Sequence, residues 1–535
     1  MKNIKKIIAV LLCLLLTFLL VACKDDTAGG SEATEGGEPE ISSNVTSSTE
    51  SSKGGILGNI FGGGAGGNGN DKNKTPKTYD YTDPSIYTID VIGAMGEGAS
   101  LGMLEARKEP AEVKAAADKL LKEIENYPDT VEPAAGGKKI YVSNSGKDSN
   151  DGLSPETPVA TLSKAGSISK KGDAIYLKRG NFWRERITLK AGVSLGAYGS
   201  GNKPTLYGSI DGMKLEWKQD SGNSNLWYVD INTAQDIGNI VFDHGKAFAN
   251  KKNSKEEVIR DLNFYYQPRG TTVYLYSKEN PTQRFDSIEI CKYDNLIQQG
   301  SNSTVQNIRL MYTGTMGLDL VNTVNTMTQG LVIGYVGGCY QKGNGTTRLG
   351  NGIQLWGSCD GHYIDHCHVY QCYDAGVSPQ WRKDNGTGTV SEVNIKYTNN
   401  LLEYSVYNFE YFLRNTTGEF SNVEISNNIM RYGGYGWGTL SRPEKSAGTN
   451  IQGGNSCKSE NFVIKDNIFV HGMPKLIRIR NTNDSPMPEF IGNTYIVNKN
   501  RDIYHTYTKV FAAKDYVGKT AAEVFGDETG KLIIY

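Results

Sequence analysis

Asp374 and Glu410 fall one unit apart in an imperfect repeat, in Tyr373-Asp374-Ala375-Gly376 and Phe409-Glu410-Tyr411. Two carboxyl groups flanking a glycosidic bond are what its hydrolysis needs, about 5–5.5 Å apart for retention and about 6.5–9.5 Å for inversion. These two are the expected acid and base or nucleophile, with Glu403 and Asp384 as reserves. Gln354, Trp356, Gln380, Arg414, Trp437 and Arg442 accompany them as expected substrate-binding residues. Aromatic rings stack on the apolar face of a sugar, and amides and guanidinium groups bond its hydroxyls. Hydrolysis of this kind calls for no cofactor.

A second chemistry is polysaccharide lysis, which needs a Lys or Arg base and a calcium ion. Trp381-Arg382-Lys383-Asp384 offers the base, and Asp319, Asp360 and Asp365 are the oxygen ligands within reach, though they form no dense acidic cluster. His362, His366 and His368 alternate along one segment and are expected on one face, as a hydrogen-bonding stack rather than a metal site. A third reading is a glycan-binding surface protein without catalysis. The balance of 57 Lys plus Arg against 58 Asp plus Glu offers no field that would draw nucleic acid.

The elements that must position these residues repeat between 304 and about 500. His368-Val369, Asn400-Leu401, Asn428-Ile429 and Asn467-Ile468 are expected to form one column, the polar member at a turn and the apolar one pointing inward. Stacked Asn amides can bond along such a column from rung to rung. Eight residues beyond each apolar member comes a second expected inward set: Val377, Phe409, Trp437 and Leu476, preceded by Ile353. Neighbours of an inward strand residue point outward. Gln354 and Trp356, Ser378 and Gln380, Glu410 and Phe412, and Gly438 and Leu440 should therefore share an outer face. Trp437, inward by the same count, contributes to binding only if the register shifts there.

From Lys138 the chain breaks into short strands and turns. Ile140-Tyr141-Val142-Ser143, Gly146-Lys147-Asp148-Ser149-Asn150-Asp151-Gly152, Pro158-Val159-Ala160-Thr161-Leu162 and Gly172-Asp173-Ala174-Ile175-Tyr176-Leu177 resemble the first rungs of extracellular β-helix polysaccharide enzymes. With Asn351-Gly352-Ile353-Gln354-Leu355-Trp356-Gly357 and Gly436-Trp437-Gly438, the chain resembles the pectate-lyase-like superfamily and its β-helix glycoside hydrolases and lyases over residues 139–535. The resemblance implies an all-β fold, a right-handed parallel β-helix, occupying 138–535 with an inserted region near 239–290. It implies a polysaccharide or oligosaccharide as partner and assigns no catalytic pair.

Ahead of this domain, Pro110 to Tyr127 reads as an amphipathic helix within a segment 79–137, expected to cover the open end of the core. Residues 23–78 are rich in Gly, Ser, Thr and Asn and read as a disordered tether. Residues 1–22 carry Lys2, Lys5 and Lys6 before an apolar run, as an export signal does. Leu20-Val21-Ala22-Cys23 resembles the bacterial lipobox, implying lipidation at Cys23 and anchoring on the outer side of the cell membrane. Of the remaining cysteines, Cys291, Cys339, Cys359, Cys367, Cys372 and Cys457 lack paired metal spacing and are expected mostly as buried thiols.

Overall fold

The structure, a computed structural model, describes residues 109–535 apart from 232–234, 343–344, 384, 443–447 and 483–484. The signal, Cys23, the tether and most of 79–137 lie outside the described residues.

The chain winds as a right-handed parallel β-helix of three ten-stranded sheets. One rung shows the plan: Cys359–Asp365 lies in the first sheet, His368–Cys372 in the second and Ala375–Arg382 in the third. Each pairs in parallel with its counterpart one rung on, Glu392–Thr398, Leu401–Glu403 and Tyr407–Arg414. Inside runs one continuous core that includes Ile353, Val369, Val377, Leu402, Phe409, Met430, Ile451, Ile464 and Phe469.

The corner between the first and second sheets is a single residue in the left-handed region. Asn307, Gly330, His366, Asn399, Asn427, Asp466 and Gly492 take this place on successive rungs. Asn, Asp and Gly tolerate that conformation best. The next residue forms the expected ladder: Asn400 donates to Asn428 Oδ1, Asn428 to Asn467 and Asn467 to Asn493, through both backbone N and Nδ2, at 2.9–3.0 Å. Asp527 ends it by accepting from Asn493.

The register corrects the expected column by one residue. Cys367, whose N donates to Asn400 Oδ1, heads the ladder, and His368 pairs with Leu401. Leu401, Ile429 and Ile468 therefore point outward, and Val369, Leu402, Met430 and Phe469 fill the core. The outward set has a purpose: the helix Ala111–Glu125 lies on it, burying Ala117, Leu120, Leu121 and Ile124. At about 1.5–3 kcal/mol per fully buried Leu or Ile, this stripe holds the helix to the flank of the second sheet. Ion pairs secure both ends, Glu125 with Arg309 at 2.8 Å and Glu109 with Arg431 at 3.0 Å. The helix is thus a cover along the side of the solenoid. The end of the core is closed instead by Leu162–Ile168, through Leu162 and Ala165, and the far end by Ala521–Phe525, whose Phe525 stacks on Tyr495 at 4.0 Å.

Between the second- and third-sheet strands of an early rung, Ser209 to Lys292 leave the solenoid. Their strands form a four-stranded antiparallel sheet and a five-stranded mixed sheet, in which Asn250–Lys251 pairs in parallel with Asn263–Tyr266, packed around Phe242, Phe264, Tyr266, Leu275, Ile288 and Ile290. This small sandwich is wider than 239–290: it also takes in the strands Ser209–Asp211, Lys218–Asp220 and Asn223–Asp230. The six cysteines past residue 290 are all free and buried.

Candidate functional site

On the third sheet the pairing lines up one outward residue per rung: Gln298, Asp319, Gln354 and Ser378, then Glu410, Gln452, Arg478 and His505. The offset between Val377–Phe409 and Gln380–Phe412 brings Ser378 opposite Glu410, so the row is unbroken. Rungs stack about 4.8 Å apart, giving a polar strip along the solenoid axis. Two residues on, Val321, Trp356, Gln380 and Phe412 form a second, partly aromatic row.

Although they face away from the core, Asp319, Gln354, Ser378, Gln380, Glu410, Arg478 and His505 are all buried. Outward polar side chains covered in this way fit the floor of a cleft better than an open sheet face. One wall joins the inserted sandwich to the loops that precede the third-sheet strands. Asp236 accepts from Tyr340 N at 2.7 Å and pairs with Lys251 at 2.6 Å, and Arg348 Nη1 donates to Ser441 O at 3.3 Å.

The upper half of the floor is knit by amides. Gln380 Nε2 and Asn351 Nδ2 donate to Gln354 Oε1 at 3.1 and 3.0 Å, and Gln354 Nε2 donates to Asp319 Oδ1 at 3.2 Å. Asn295 Nδ2 completes Asp319's shell at 2.9 Å. Burial pushes the Asp319 carboxyl up to about 6, against the downward pull of these two amides. Asp319 entered the sequence reading only as a calcium ligand. Its place beside Gln354 is visible only when the repeat is carried one rung earlier, across a 35-residue gap.

Glu410 sits mid-row, between Ser378 and Gln452. Asp374 stands just before its strand, four residues ahead of Ser378. It sits at the bend that leads into this strand, one rung before Glu410. Arg442 Nη1 bonds Asp374 Oδ1 at 2.8 Å, and the guanidinium lies over the Tyr373 ring at 5.2 Å. Arg414 pairs across from Arg382, is exposed, and donates through Nε to Gly454 O. Trp356 is the exposed ring of the strip at 36 %.

Three expectations are corrected. Trp437 is not on the floor or in the inward column. It opens the short helix Trp437–Ser441 in a loop inserted between strands, is buried against Tyr373 and Phe248, and its Nε1 donates to Gln371 O at 2.8 Å. The inward residue of that rung is Ile451 in place of Trp437; on the next rung Ile477 pairs with Ile451, and Leu476 beside it is also buried in the core, while Gly438 and Leu440 lie in the same insertion as Trp437. Glu403 lies on the second sheet, buried between His368 at 2.9 Å and Arg431 at 2.5 Å, far from the cleft. The three histidines do not share a face: His362 is on the first sheet with Thr323 and Thr326, His366 is at the corner with Asp365, and His368 is on the second sheet. Asp384 lies outside the described residues. Lys383 donates to Thr387 O. Among the described residues no group of three or more His, Cys, Asp or Glu is placed to hold a metal ion.

No family model matches the chain, and no curated protein does. Among solved structures it is similar to XylC in complex with xylose, at 11 % identity and TM-score 0.41, covering 70 % of this chain and 73 % of that one. A structure described as a glycoside hydrolase is similar at 10 % identity and TM-score 0.43, covering 69 % and 95 %. The pectate lyase Pel9A is similar at 11 % identity and TM-score 0.33, covering 67 % and 80 %.

Proposed function

We propose that the cleft binds a polysaccharide or oligosaccharide and that the protein is a glycoside hydrolase. One observation carries this reading: the unbroken outward row from Gln298 to His505, with Trp356 and Phe412 beside it. Amides, carboxylates and guanidinium groups at one step per rung give hydrogen bonds to successive hydroxyls, and the aromatic row gives flat surfaces for ring faces.

Glu410 is the carboxylate at the centre of the row and Asp374, oriented by Arg442, is its partner across the strand. One protonates the leaving oxygen and the other activates water or attacks as nucleophile. The two are offset along the strand and by one rung, so side-chain reach admits either the retaining or the inverting separation. The reading is a glycoside hydrolase whose stereochemistry the product anomer reports. It is tested by following the anomer of the first-formed product by NMR, with Glu410→Gln and Asp374→Asn as the variants that lose turnover.

A second reading, lysis of an acidic glycan, is favoured by Arg478. This guanidinium lies two rungs past Glu410 in the same row, and burial and the neighbouring Arg480 lower it to about 10, toward the range of a base. Lysis would yield unsaturated products with ultraviolet absorbance; hydrolysis yields reducing ends without it.

The aliphatic run and cysteine at the amino terminus support export and lipid anchoring of the exported protein to the outer side of the membrane through Cys23.

A further inference from the structure

The inserted sandwich turns one face of its five-stranded sheet away from its own core. Along Thr272–Tyr276 burial alternates, with Val273 and Leu275 inward and Thr272, Tyr274 and Tyr276 outward. Tyr265 pairs with Tyr274, and Tyr274 with Tyr228, so three tyrosines stand in one line across three adjacent strands. All three are half-buried, with the Tyr228 and Tyr274 centroids 6.1 Å apart. Lys218, opposite Tyr228, extends the line at one edge. At the other edge Lys252, next along from the Lys251–Phe264 pair, continues it.

Two features say what fits this line. Charge lies along it and across it: Thr272 donates to Asp230 at 2.7 Å, and Lys255, bonded to Asp220 at 3.0 Å, sits 4.6 Å over the Tyr274 ring, a partly exposed contact that a sugar stacking on that face displaces. Three half-buried rings, each about half of 150–250 Å², fall well short of the roughly 800 Å² that each partner gives to a stable protein interface. A ribbon of rings one residue wide, edged by donors and acceptors, suits a sugar chain instead. The line is also continuous with the cleft wall. Its Lys251 edge strand packs beside Trp437–Ser441, and Lys252, lowered chiefly by burial, also feels the positive charge of Arg348 in that wall.

We propose that Tyr265, Tyr274 and Tyr228 form a second glycan-binding surface that takes up the polysaccharide strand where it leaves the cleft. It rests on the carbohydrate reading of the cleft and not on which bond is cleaved there. Rings set one per strand, with Tyr228 and Tyr274 6.1 Å apart, meet successive sugars, while Lys218, Lys252 and Asp220 reach their hydroxyls.

The test is affinity electrophoresis of the full chain in native gels cast with xylan or with polygalacturonate, alongside turnover of short oligosaccharides. Tyr228→Ala with Tyr274→Ala should lower retardation roughly tenfold, two stacking contacts' worth, and leave oligosaccharide kcat and KM unchanged. Tyr274→Phe, which keeps the ring, should retain most of the retardation, and unchanged thermal melting shows that the variants fold. Wild-type protein held through these tyrosines that turns over no oligosaccharide keeps this surface and removes the hydrolase reading. The proposal is overturned if the double variant is retarded like wild type, including when neither is retarded. It is equally overturned if the substitutions change oligomeric state and leave glycan retention alone.

Discussion

Gln354 Nε2 donates to Asp319 Oδ1 at 3.2 Å, so a buried amide on one rung holds a buried carboxylate on the rung before it. The contact ties together the upper half of the cleft floor and leaves an acid whose proton is held to about pH 6.

That acid makes stability fall as pH rises. Asp319 has a folded-state pKa raised to about 6 from an unfolded value near 3.9, so the folded state binds the extra proton between the two. The stabilisation is complete below about pH 4 and lost as pH rises through 6. About two pH units correspond to about 3 kcal/mol at most. Asp319→Asn should flatten this part of the melting-temperature profile, raising the Tm relative to wild type at pH 7 more than at pH 4.

His362 has the opposite sign. Burial, offset by the Thr323 backbone, lowers it to about 4, so the unfolded chain binds its proton first as pH falls below about 6.5. Stability is present above 6.5 and lost as pH falls through 4. His362→Gln should remove about 1–3 kcal/mol of acid sensitivity between those values, read from denaturant midpoints at pH 7 and pH 4.5.

The asparagine ladder should behave as a chain of shared acceptors. Asn428→Ala deletes the oxygen that accepts from both Asn400 N and Asn400 Nδ2, each fully buried. Leaving these donors unmet costs about 1–3 kcal/mol. Chemical denaturation should show that loss with cleft residues and activity at low temperature unaffected.

The flank helix depends on a buried charge as well as on its apolar stripe. Arg431 bonds Glu403 and Glu109 together, reaching from the second sheet to the start of the helix. Arg431→Met strands the buried Glu403 beside His368, and breaking such a pair costs roughly 3–5 kcal/mol. Hydrogen exchange should rise first in Ala111–Glu125, ahead of the third sheet.

The fold was legible where the repeat runs without insertions. Ile353 and Val377 are 24 residues apart, and the structure pairs them directly. The count failed at Trp437, where the short helix Trp437–Ser441 intervenes between the strands Ile429–Gly433 and Thr449–Gly453, and a fixed offset then landed on a residue of the right hydrophobicity outside the strands. It slipped by one against His368 because each ladder asparagine, Asn400, Asn428 and Asn467, is followed by two apolar residues. Leu401 and Leu402 look alike in sequence, and only the helix that seats on Leu401 tells outside from inside. Alternation alone was enough to predict the outward positions of Gln354, Gln380 and Glu410, whereas Asp319 was missed because its rung is joined to the next by a long loop. That the sandwich tyrosines form one aligned row was not legible, since cross-strand register is not written in any single segment.

The most direct measurement is the release of reducing ends from a panel of neutral and acidic polysaccharides by wild type and by Glu410→Gln, with ultraviolet absorbance read in parallel. The hydrolase account predicts reducing ends without absorbance and a roughly 10²–10⁴-fold loss in Glu410→Gln. Turnover that survives Glu410→Gln undiminished, or products that all absorb, would contradict it.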